Sequence, residues 1–376
     1  MTGDPDQSGA IAVYGATGFT GRLIAAELRR RSARFVLAAR NLAKLEILAE
    51  DLGGDIPVRA VSLDDPVALR DLLEPCAAVI ACAGPFQLHG EPVLAAAVEA
   101  RAHYLDTTGE QPFMRRVFED YGPGAERAGV ALLTAMGFDY VPGDMIAALT
   151  AEGMGPLDEV TLAYAVSGFG PTRGTVLSGL GMIAGGDVEW RDGELVPASQ
   201  STGRGTWEFS QPVGTQRMVR YPAGEHLTVP RHVQTQRVRT LLTASTVLPL
   251  PLVTRVAPLV MAPFQLALRT PLRRALAALV PRLPEGPSEE GRRRSRFVID
   301  CEARQGRRRR RGTVTGADSY GLTARSTAEG ALRCAEPGFE GRGALAPSQA
   351  FDPREFLGAL RGFGVEYEID LAPAQA

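Results

Sequence analysis

The stretch "IAVYGATGFTGRLIA" (residues 11–25) decides the fold of this chain. It opens with an apolar run typical of a buried strand and ends with helical spacing, and Gly15, Gly18 and Gly21 lie between the two. A dinucleotide fold needs a tight turn after its first strand, bare backbone beside the pyrophosphate and a small residue where helix meets strand. We therefore predict a dinucleotide-binding loop. The alternative is a glycine-rich structural turn.

The residues between these glycines would complete the loop. A helix N-terminus offers backbone N–H groups and a positive dipole end to phosphates. Thr17 and Thr20 add hydroxyl groups at the same place. The predicted cofactor loop consists of Gly15, Ala16, Thr17, Gly18, Phe19, Thr20 and Gly21.

The end of the second strand indicates which dinucleotide is bound. Enzymes that use NAD usually place Asp or Glu there, whereas this strand ends in Arg40 and Lys44 follows in the next helix. A guanidinium can bind a 2′-phosphate through two hydrogen bonds, so we predict NADP. The alternative for Arg40 is a solvated surface arginine. Asp64, after the third strand, either contacts the adenine or caps the helix before Pro66.

Composition limits the class of protein. The chain has 376 residues, 45% of them apolar and 22% charged, and its net charge of −2 argues against a nucleic-acid partner. Lys44 is the only lysine, which we interpret as a base-composition bias that makes any single arginine weak evidence. The four cysteines lack metal-ligand spacing, so we expect no metal and a reduced, cytoplasmic setting.

Alternation of strand-like and helix-like runs predicts an α/β fold. Between residues 11 and 135 six apolar strands alternate with helices, which indicates a Rossmann-type doubly wound parallel sheet. Beyond Gly137 alternating stretches predict a second, α+β domain with a largely antiparallel sheet, including a strand at 311–324, and the C-terminal tail is predicted to carry a last strand at 365–370. The predicted divisions are a disordered tail (1–10), the NADP-binding domain (11–149), a substrate and dimerisation domain (150–335) and a C-terminal helix and strand (336–376) that could pack back on the NADP-binding domain.

Three stretches follow the carboxyl ends of predicted strands, where doubly wound sheets bind ligands. They are "ACAGPFQLHGEPV" (81–93), "HYLDTTGE" (103–110) and "GFDYVPGDM" (137–145). In the first, glycine and proline stand where a backbone must pass close to the nicotinamide ribose. The predicted contacts there are Ala83, Gly84, Pro85 and Phe86.

These motifs together resemble those of the saccharopine dehydrogenase-like family. The segments that carry the resemblance are GATGFTG (15–21), AGPF (83–86), YLDTTGE (104–110), GFDYVPGD (137–144), RGT (173–175), TVPRH (228–232) and TGADSYGLTA (315–324). The resemblance extends to the actinobacterial members described as trans-acting enoyl reductases. The resemblance implies an NADP-binding Rossmann domain and a second domain with substrate and homodimer contacts. Tyr140 and Gly143 stand where relatives commonly have serine, which leaves the substrate open.

The predicted chemistry is hydride transfer from NADPH to a C=C, C=O or C=N bond, and this needs a proton donor. The candidate catalytic residues are Tyr104, Asp106, Glu110 and Tyr140, and His89 is a further possible donor. The alternative is that the two carboxylates cap turns or helices and that Tyr140 and His89 are hydrogen-bonded loop residues. Because Lys44 is the only lysine, no Tyr-x-x-x-Lys pair exists, which excludes the common short-chain dehydrogenase mechanism.

Two further segments bear on partners. Residues 240–283 are strongly apolar but interrupted by prolines, so they either line an apolar substrate pocket or dip into a membrane interface. The arginine run at 307–311 is either a solvated hairpin tip or a contact for an anionic partner.

These observations predict an NADP-dependent oxidoreductase acting on an apolar, lipid-like acyl or ketide-type substrate, in an enoyl reductase-like reaction. One alternative is an imine or aldehyde reductase of amino-acid metabolism. A second is a non-catalytic NADP-binding sensor or scaffold, since an intact phosphate loop fits both. We expect a homodimer in the cytoplasm, with peripheral membrane contact through 240–283 as an open alternative.

Overall fold

The computed structural model describes residues 9–138, 140–198, 205–247 and 272–370. The chain divides into two compact units, each built from two segments. The first unit comprises Met1–Val141 and Tyr320–Ala350, and the second comprises Pro142–Ser319 and Phe351–Ala376. Most of the predicted N-terminal tail and residues 248–271 of the apolar segment lie outside the described residues.

The described strands are numbered in chain order. They are β1 (Ala10–Tyr14), β2 (Phe35–Ala39), β3 (Val58–Ala60), β4 (Cys76–Ala81), β5 (His103–Asp106), β6 (Ala131–Leu133), β7 (Glu159–Ser167), β8 (Val188–Arg191), β9 (Glu194–Pro197), β10 (Gly205–Glu208), β11 (Thr215–Arg220), β12 (Val238–Thr243), β13 (Arg296–Gln305), β14 (Arg308–Ala317), β15 (Gly343–Ala344) and β16 (Glu366–Ile369).

The described α-helices follow the same numbering. They are α1 (Phe19–Arg30), α2 (Leu42–Asp51), α3 (Pro66–Leu73), α4 (Phe86–Ala100), α5 (Gln111–Arg116), α6 (Gly122–Ala128), α7 (Val141–Ala151), α8 (Arg173–Gly185), α9 (Glu225–Thr228), α10 (Ala244–Val247), α11 (Leu272–Leu279), α12 (Glu289–Arg294), α13 (Ser319–Ala335), α14 (Pro347–Ala350) and α15 (Pro353–Leu360). A π-helical turn, Val117–Tyr121, joins α5 to α6. Among the helices that the structure describes, none is both long and apolar enough to cross a membrane.

The first unit is built on a parallel seven-stranded sheet in the order β15-β6-β5-β4-β1-β2-β3. Strands β1 and β2 are buried at every position, because helices cover both faces of a parallel sheet. Local signals start the helices: Asn41 caps α2, and Asp65 caps α3 just before Pro66. The predicted Rossmann-type sheet is confirmed, and β15 adds a strand that the sequence analysis did not predict.

The second unit is built on a mixed sheet in the order β10-β11-β12-β7-β13-β14-β16. All its pairs are antiparallel except β12 with β7, and β8 and β9 form a separate hairpin. Helix α7 packs closely on β14, since a Cβ at Gly312 would lie 2.2 Å from Thr150 Oγ1 and 3.0 Å from Ile146 Cγ1. The predicted largely antiparallel second sheet is thereby confirmed.

Two of the predicted strands differ from the structure in their extent or in their partner. The strand predicted over 311–324 ends at Ala317, because Asp318 turns the chain with φ +50° and α13 begins at Ser319. Strand β16, predicted to pack back on the NADP-binding domain, instead pairs with β14 in the second unit, with Gly312 opposite Ile369. From the segment after 335, only the part around β15 joins the first sheet, where Gly343 pairs with Ala131.

The arginine run at 307–311 lies on the β13–β14 hairpin, and several of its side chains bind within the second unit. Arg310 donates to the carbonyl oxygens of Thr150 and Glu152 at the end of α7. Arg311 pairs with the buried Asp300 and lies over the ring of Trp207. These contacts give part of the run a structural role, which weakens it as evidence for an anionic partner.

Candidate functional site

The order of strands in the first sheet reverses between β1 and β4. Strands β2 and β3 lie on one side of β1, while β4, β5 and β6 lie on the other. Successive crossovers therefore leave opposite faces, and the carboxyl ends of the strands open into a crevice at this switch point. The loops at this edge begin after Tyr14, Ala81, Asp106 and Leu133, so they contain the glycine loop and all three stretches singled out in the sequence.

Each glycine of the first loop has its own structural reason. Gly15 has φ +82°, and a Cβ there would lie 3.0 Å from the backbone nitrogen of Ala83. Gly18 is the N-cap of α1. A Cβ at Gly21 would lie 2.4 Å from the carbonyl oxygen of Gly15 and 2.8 Å from the Cα of Ala16. The turn, the helix start and the approach of helix to strand therefore depend on these glycines.

The other loop residues surround the start of α1. Ala16 is fully buried, whereas Thr17, Phe19 and Thr20 are partly exposed. The carbonyl oxygen of Thr17 accepts a hydrogen bond from Arg22, 2.7 Å away, which fixes the loop onto its own helix. The N-cap glycine provides no side-chain acceptor for the first turn of α1, which also lacks an acidic residue. The helix start therefore keeps the positive end that phosphates favour.

Arg40 and Asp64 lie beside Tyr14 at the ends of β2 and β3. The Tyr14 hydroxyl donates to the carbonyl oxygen of Val61 at 3.0 Å. Burial raises the pKa of Tyr14, while Arg40 lowers it and Asp64 raises it further, so both charges act on the same hydroxyl. Both Arg40 and Lys44 are exposed.

The helix-cap alternative for Asp64 is wrong. The side chain that accepts from the first turn of α3 is that of Asp65, whose Oδ1 lies 3.0 Å from the backbone nitrogen of Ala68. Asp64 instead interacts with Ser62, whose Oγ accepts from the Asp64 backbone at 3.3 Å. Its predicted contact with the adenine stays a prediction.

The loop after β4 passes directly beside the glycine loop. Ala83 and Pro85 are partly exposed, Gly84 is exposed, and the Gly84–Pro85 peptide bond is cis. Phe86 begins α4 and its ring is buried against Phe113, with 5.7 Å between the ring centroids. Any contact of Phe86 with a ligand at this edge would therefore come from its backbone, because its side chain belongs to the core.

Glu110 caps α4 from the neighbouring loop. Its Oε1 accepts from the backbone nitrogen of Phe86 and its Oε2 from that of Gln87, both at 2.9 Å. The backbone of Glu110 in turn donates to Thr108 Oγ1 at 3.0 Å. The capping alternative given for this carboxylate is what the structure shows, because its two oxygens satisfy two otherwise unpaired helix donors.

Asp106 is fully buried at the end of β5 and joins two loops. Its Oδ1 accepts from the Thr108 backbone at 2.9 Å, the Thr134 hydroxyl at 3.1 Å and the Ala135 backbone at 2.8 Å. Its Oδ2 has no hydrogen-bond partner within the described residues. Burial raises the pKa of Asp106 to about 6 against the lowering effect of these donors. The carboxyl group thus holds the loops after β5 and β6 together.

Tyr104 and Tyr140 lie in the same region. The Tyr104 hydroxyl is buried close to Asp106 and makes no hydrogen bond of normal geometry to described residues, and burial together with Asp106 raises its pKa well above the usual value. The Tyr140 hydroxyl donates to the carbonyl oxygen of Gly109 at 3.0 Å. Tyr140 also has φ +133°, a conformation that is strained for a tyrosine. His89, by contrast, is exposed on α4.

The structure therefore brings Tyr104, Asp106, Glu110 and Tyr140 together at one edge of the first sheet. Asp106 and Glu110 are linked through Thr108, and Tyr140 binds the backbone next to Glu110. Each of the last three has a role in holding the loops, so a catalytic role for any of the four stays a prediction.

Sequence reasoning missed a second polar cluster, which lies in the second unit. The Nε2 atom of His232 lies 2.7 Å from Oδ1 of the fully buried Asp144. Asp144 stands in GFDYVPGD and His232 in TVPRH, two of the motifs that carry the family resemblance. The occurrence of an aspartate and a histidine in these motifs was the signal in the sequence that could have indicated the cluster. No rule of spacing relates residues 144 and 232.

A second buried pair adjoins the first. The Tyr164 hydroxyl is hydrogen-bonded to Glu225 Oε1, and both side chains are buried. A Cβ at Gly143 would lie 2.2 Å from the Tyr164 hydroxyl and 2.4 Å from Glu225 Oε1, so the tyrosine–glutamate pair occupies the space beside the residue preceding Asp144. Asp144, Tyr164, Glu225 and His232 thus form a buried ionisable cluster, which we call the 144–232 cluster.

Comparison with known proteins agrees with this architecture. Residues 11–133 match the family described as saccharopine dehydrogenase NADP binding domain. A Mycobacterium ulcerans protein named trans-acting enoyl reductase is 33% identical over 140 residues, which are 36% of this chain and 34% of the relative. An Arabidopsis thaliana protein named as a saccharopine dehydrogenase-like oxidoreductase is 30% identical over 158 residues, 38% of this chain and 35% of the relative.

A solved structure extends the similarity of fold over nearly the whole chain. Saccharopine dehydrogenase (L-Glu forming) from Saccharomyces cerevisiae superposes with a TM-score of 0.62 at 14% identity, covering 96% of this chain and 99% of that one. Residues 11–133 therefore match a saccharopine dehydrogenase NADP binding domain, and the whole chain has the fold of saccharopine dehydrogenase, as the motifs predicted. It spans only about a third of the length of the two named curated relatives.

Proposed function

We propose that the chain is an NADPH-dependent reductase that transfers hydride to the double bond of an apolar acyl or ketide-type substrate, such as a 2-enoyl thioester. The observation that carries the proposal is the glycine loop at the switch point of the first sheet. There Gly15 and Gly21 allow close approaches of the backbone that a Cβ would block, and the start of α1 is free of acidic side chains. These features fit a dinucleotide pyrophosphate.

The preference for NADP over NAD rests on the end of β2. Arg40 follows this strand where an acidic residue would bind a ribose 2′-hydroxyl, and its side chain is exposed. A guanidinium is suited to the 2′-phosphate, and Lys44 adds a second positive charge in the first turn of α2. Thr17, Thr20 and the N–H groups of α1 would hold the pyrophosphate. When bound, the cofactor supplies the hydride.

The residues after β4, β5 and β6 would keep the reacting edge rigid. Glu110 fixes the start of α4, and Asp106 ties the loop after β5 to the loop after β6. Rigid positioning of reacting groups lowers the barrier because less ordering remains to be done in the transition state. We assign Glu110 to positioning, since both of its oxygens are engaged by backbone donors.

The substrate class rests on relatives rather than on geometry. The name trans-acting enoyl reductase given to the Mycobacterium ulcerans protein supports a C=C acceptor for this chain. The apolar segment 240–283 would suit a lipid-like substrate, but residues 248–271 lie outside the described part of the chain. Homodimer formation and peripheral membrane contact are also proposals that do not rest on the geometry of the structure.

The decisive experiment follows a deuterium atom. NADPH carrying deuterium at the 4-pro-R or 4-pro-S position is incubated with the chain and a panel of 2-enoyl thioesters, aldehydes and imines, and the products are analysed by mass spectrometry. Deuterium on an enoyl carbon supports the proposal. Deuterium on an alcohol or amine carbon contradicts the proposal and supports the alternative of an aldehyde or imine reductase.

NADPH binding is measured alongside by fluorescence titration. Tight binding without any transfer of deuterium to the panel would count against the reductase and favour the sensor. A G21A variant is the matched control, since loss of both binding and transfer shows that the reaction uses the proposed loop.

A further inference from the structure

A polar cavity lies in the second unit, where residues of β8, β11, α9 and β12 meet. Its volume is about 30 Å³, whereas one water molecule needs roughly 10–15 Å³. It is lined by Glu189, Trp190, Arg191, Arg220, His226 and residues 237–241, all of which belong to the second unit. None of these residues was assigned to the cofactor or to catalysis above, so the cavity has no role in the proposed function.

The lining of this cavity carries an excess of positive charge. Among the described residues that line it are four guanidinium groups and one carboxylate, that of Glu189, and guanidinium groups stay protonated in proteins. The four arginines are Arg191, Arg220, Arg237 and Arg239. A single arginine is weak evidence in an arginine-rich chain, but four on one cavity, contributed by three separate segments, are a specific arrangement.

Two of these arginines stand opposite each other. Arg191 and Arg237 form an isolated antiparallel bridge between the β8–β9 hairpin and the start of β12. Like charges directly opposite each other destabilise such a pairing. Arg191 Nη1 donates to Glu189 Oε1 at 2.9 Å, and its Nε lies 3.8 Å from Asp192, whose side chain is 90% exposed and therefore screened by water. A bound anion would offset the charge that remains.

Arg237 and Arg239 share one carboxylate. Glu159 Oε1 lies 3.5 Å from Arg239 Nη1, and its Oε2 lies 3.9 Å from Arg237 Nη1. Both arginine side chains are 41% exposed, so the cavity is open to solvent on their side. One carboxylate cannot accept from two guanidinium groups in the bidentate way that binds an arginine most strongly. Both groups therefore keep donors for an anion that enters from solvent.

Arg220 is the most buried of the four arginines and has an unused donor. Its Nη2 pairs with Asp187, whereas its Nη1 is buried and has no hydrogen-bond partner in the part of the chain that the structure describes. A buried donor without a partner is destabilising, and such an atom often marks a place where a ligand or a water molecule binds. The unused donor belongs to a group that lines the cavity, which points to a bound acceptor there.

His226 indicates that Asp187 does not cancel the charge of Arg220. The Nδ1 atom of His226 accepts from the backbone of Trp190 at 3.1 Å, and its Nε2 lies 3.0 Å from Thr240 Oγ1. Burial, and then the charge of Arg220, lower the pKa of His226 to about 3, so its ring is neutral at physiological pH. The histidine therefore adds no charge to the cavity but experiences the positive charge of its neighbour.

We propose that this cavity binds a phosphate group. A phosphate carries up to two negative charges and several acceptor oxygens, and guanidinium groups bind it through paired hydrogen bonds. Arg220 Nη1 would donate from the buried side, and Arg237 and Arg239 from the open side. An anion with a single charge fits less well, because the lining arginines outnumber the lining carboxylate by three. The phosphate belongs either to inorganic phosphate or to the phosphate ester of a thioester carrier.

The binding test is isothermal titration calorimetry of the full chain at constant ionic strength. It uses neither NADPH nor turnover, so its outcome is independent of the proposed function. The probes are inorganic phosphate, 4′-phosphopantetheine and acetate. We expect a Kd of about 1 mM or lower for the better phosphate compound and at least tenfold weaker binding of acetate. Tighter binding of 4′-phosphopantetheine identifies the ester as the source, and tighter binding of inorganic phosphate identifies the free ion. Absence of binding by both would overturn the inference.

Arginine variants locate the bound phosphate. R220Q removes the buried donor and should weaken binding about tenfold or more, because a charged hydrogen bond is lost. R239Q changes a more exposed side chain, so it disturbs the fold less, and it should weaken binding several-fold. R293Q is the matched control, since Arg293 is 74% exposed and pairs with Glu289 on α12. If R293Q weakens binding as much as R220Q and R239Q do, the effect is one of net charge and the inference is wrong.

The glycine loop of the first unit is a second place where phosphate could bind, and the G21A variant separates the two. Binding that is lost in G21A but kept in R220Q would place the phosphate at the loop and overturn the inference. Thermal unfolding verifies that the variants are folded. Phosphate should raise the melting temperature of the wild type and of R293Q, because a ligand of the folded state stabilises it, and should raise that of R220Q less.

Tryptophan fluorescence gives a readout at the cavity itself. Trp190 lines the cavity, and Trp207 is the only other tryptophan in the sequence. Phosphate should change the emission of the wild type, and this change should be absent from W190F while calorimetry still detects binding. A change that W190F retains in full would mean that phosphate binds elsewhere.

Discussion

Glu110 and Phe86 are joined across two loops of the first unit, with 2.9 Å between the carboxylate Oε1 and the backbone nitrogen that begins α4. The second oxygen binds Gln87 at the same distance. The helix start at the proposed nicotinamide edge is therefore capped by a residue from the neighbouring strand loop. The cap accordingly couples the stability of α4 to the loop after β5.

The E110Q variant tests this cap. An amide has one acceptor oxygen, so one of the two backbone donors would face an NH2 group, and we expect the free energy of unfolding to fall by about 2 kcal/mol. Urea denaturation measures it. E119Q is the matched control, since Glu119 is half exposed and pairs with Arg115 on the same helical segment, which predicts a loss below about 0.5 kcal/mol. Equal losses in the two variants would contradict the capping role.

The G21A variant tests the close approach of α1 to the first turn. Its new methyl group would meet backbone atoms 2.4 and 2.8 Å away, which cannot move without disturbing the loop. We expect at least a tenfold loss of NADPH affinity and a lower melting temperature. G358A is the control with the opposite sign: a Cβ there meets nothing within 4 Å, so alanine should stabilise α15 by about 0.5–1 kcal/mol.

The R40A variant tests the choice of cofactor. Loss of a charged hydrogen-bond donor to a 2′-phosphate should weaken NADPH about tenfold and leave NADH nearly unchanged, as measured by isothermal titration calorimetry. R70A removes another exposed arginine, one that pairs with Asp71 on α3, and should change neither affinity. Equal weakening of both cofactors by R40A would show that Arg40 does not read the 2′-phosphate.

Asp106 predicts a pH dependence of stability. Its pKa rises from 3.8 to about 6 in the folded chain, so the folded state binds its proton more tightly than the unfolded state does. The resulting stabilisation is fully present below pH 3.8 and is lost as the pH rises through about 6, an effect of about 3 kcal/mol at most. In D106N, whose amide oxygen can still accept the three hydrogen bonds to Oδ1, this dependence should vanish.

The measurement is urea denaturation of the wild type and D106N at several pH values from 4 to 7.5. The free energy of unfolding of the wild type should fall relative to that of D106N across this range. A constant difference between the two curves would mean that Asp106 titrates normally.

The parts of the fold that depend on local patterns were predictable. Apolar strands, helix starts and the glycine spacing at 15–21 depend on residues a few positions apart, and the first sheet followed from them. The strand predicted over 311–324 failed at Asp318, because side-chain alternation cannot show a single residue with positive φ that turns the chain into α13. Strand β15 was not predicted because a strand of two residues is too short to show an alternation of apolar and polar side chains.

The candidate site was predictable in composition but not in contacts. The sequence placed Asp106 and Glu110 at one edge, yet two of the three donors to Asp106 come from the loop after β6 and those to Glu110 come from α4. Asp144 and His232 are 88 residues apart, and only the paths of α7 and the segment after α9 bring their side chains to hydrogen-bond distance. Such long-range pairing is set by packing, not by local sequence.

The late positions of β15 and β16 in the sequence affect how the two sheets form during synthesis of the chain. Strand β15 completes the edge of the first sheet beside β6, and β16 completes the edge of the second sheet beside β14. On the ribosome, β6 must therefore wait until most of the second unit has been translated before its outer edge is paired. Open strand edges invite pairing with other chains. A nascent chain stalled before residue 343 would therefore display an unpaired edge on each sheet, and a chaperone that shields such edges would act late in its synthesis.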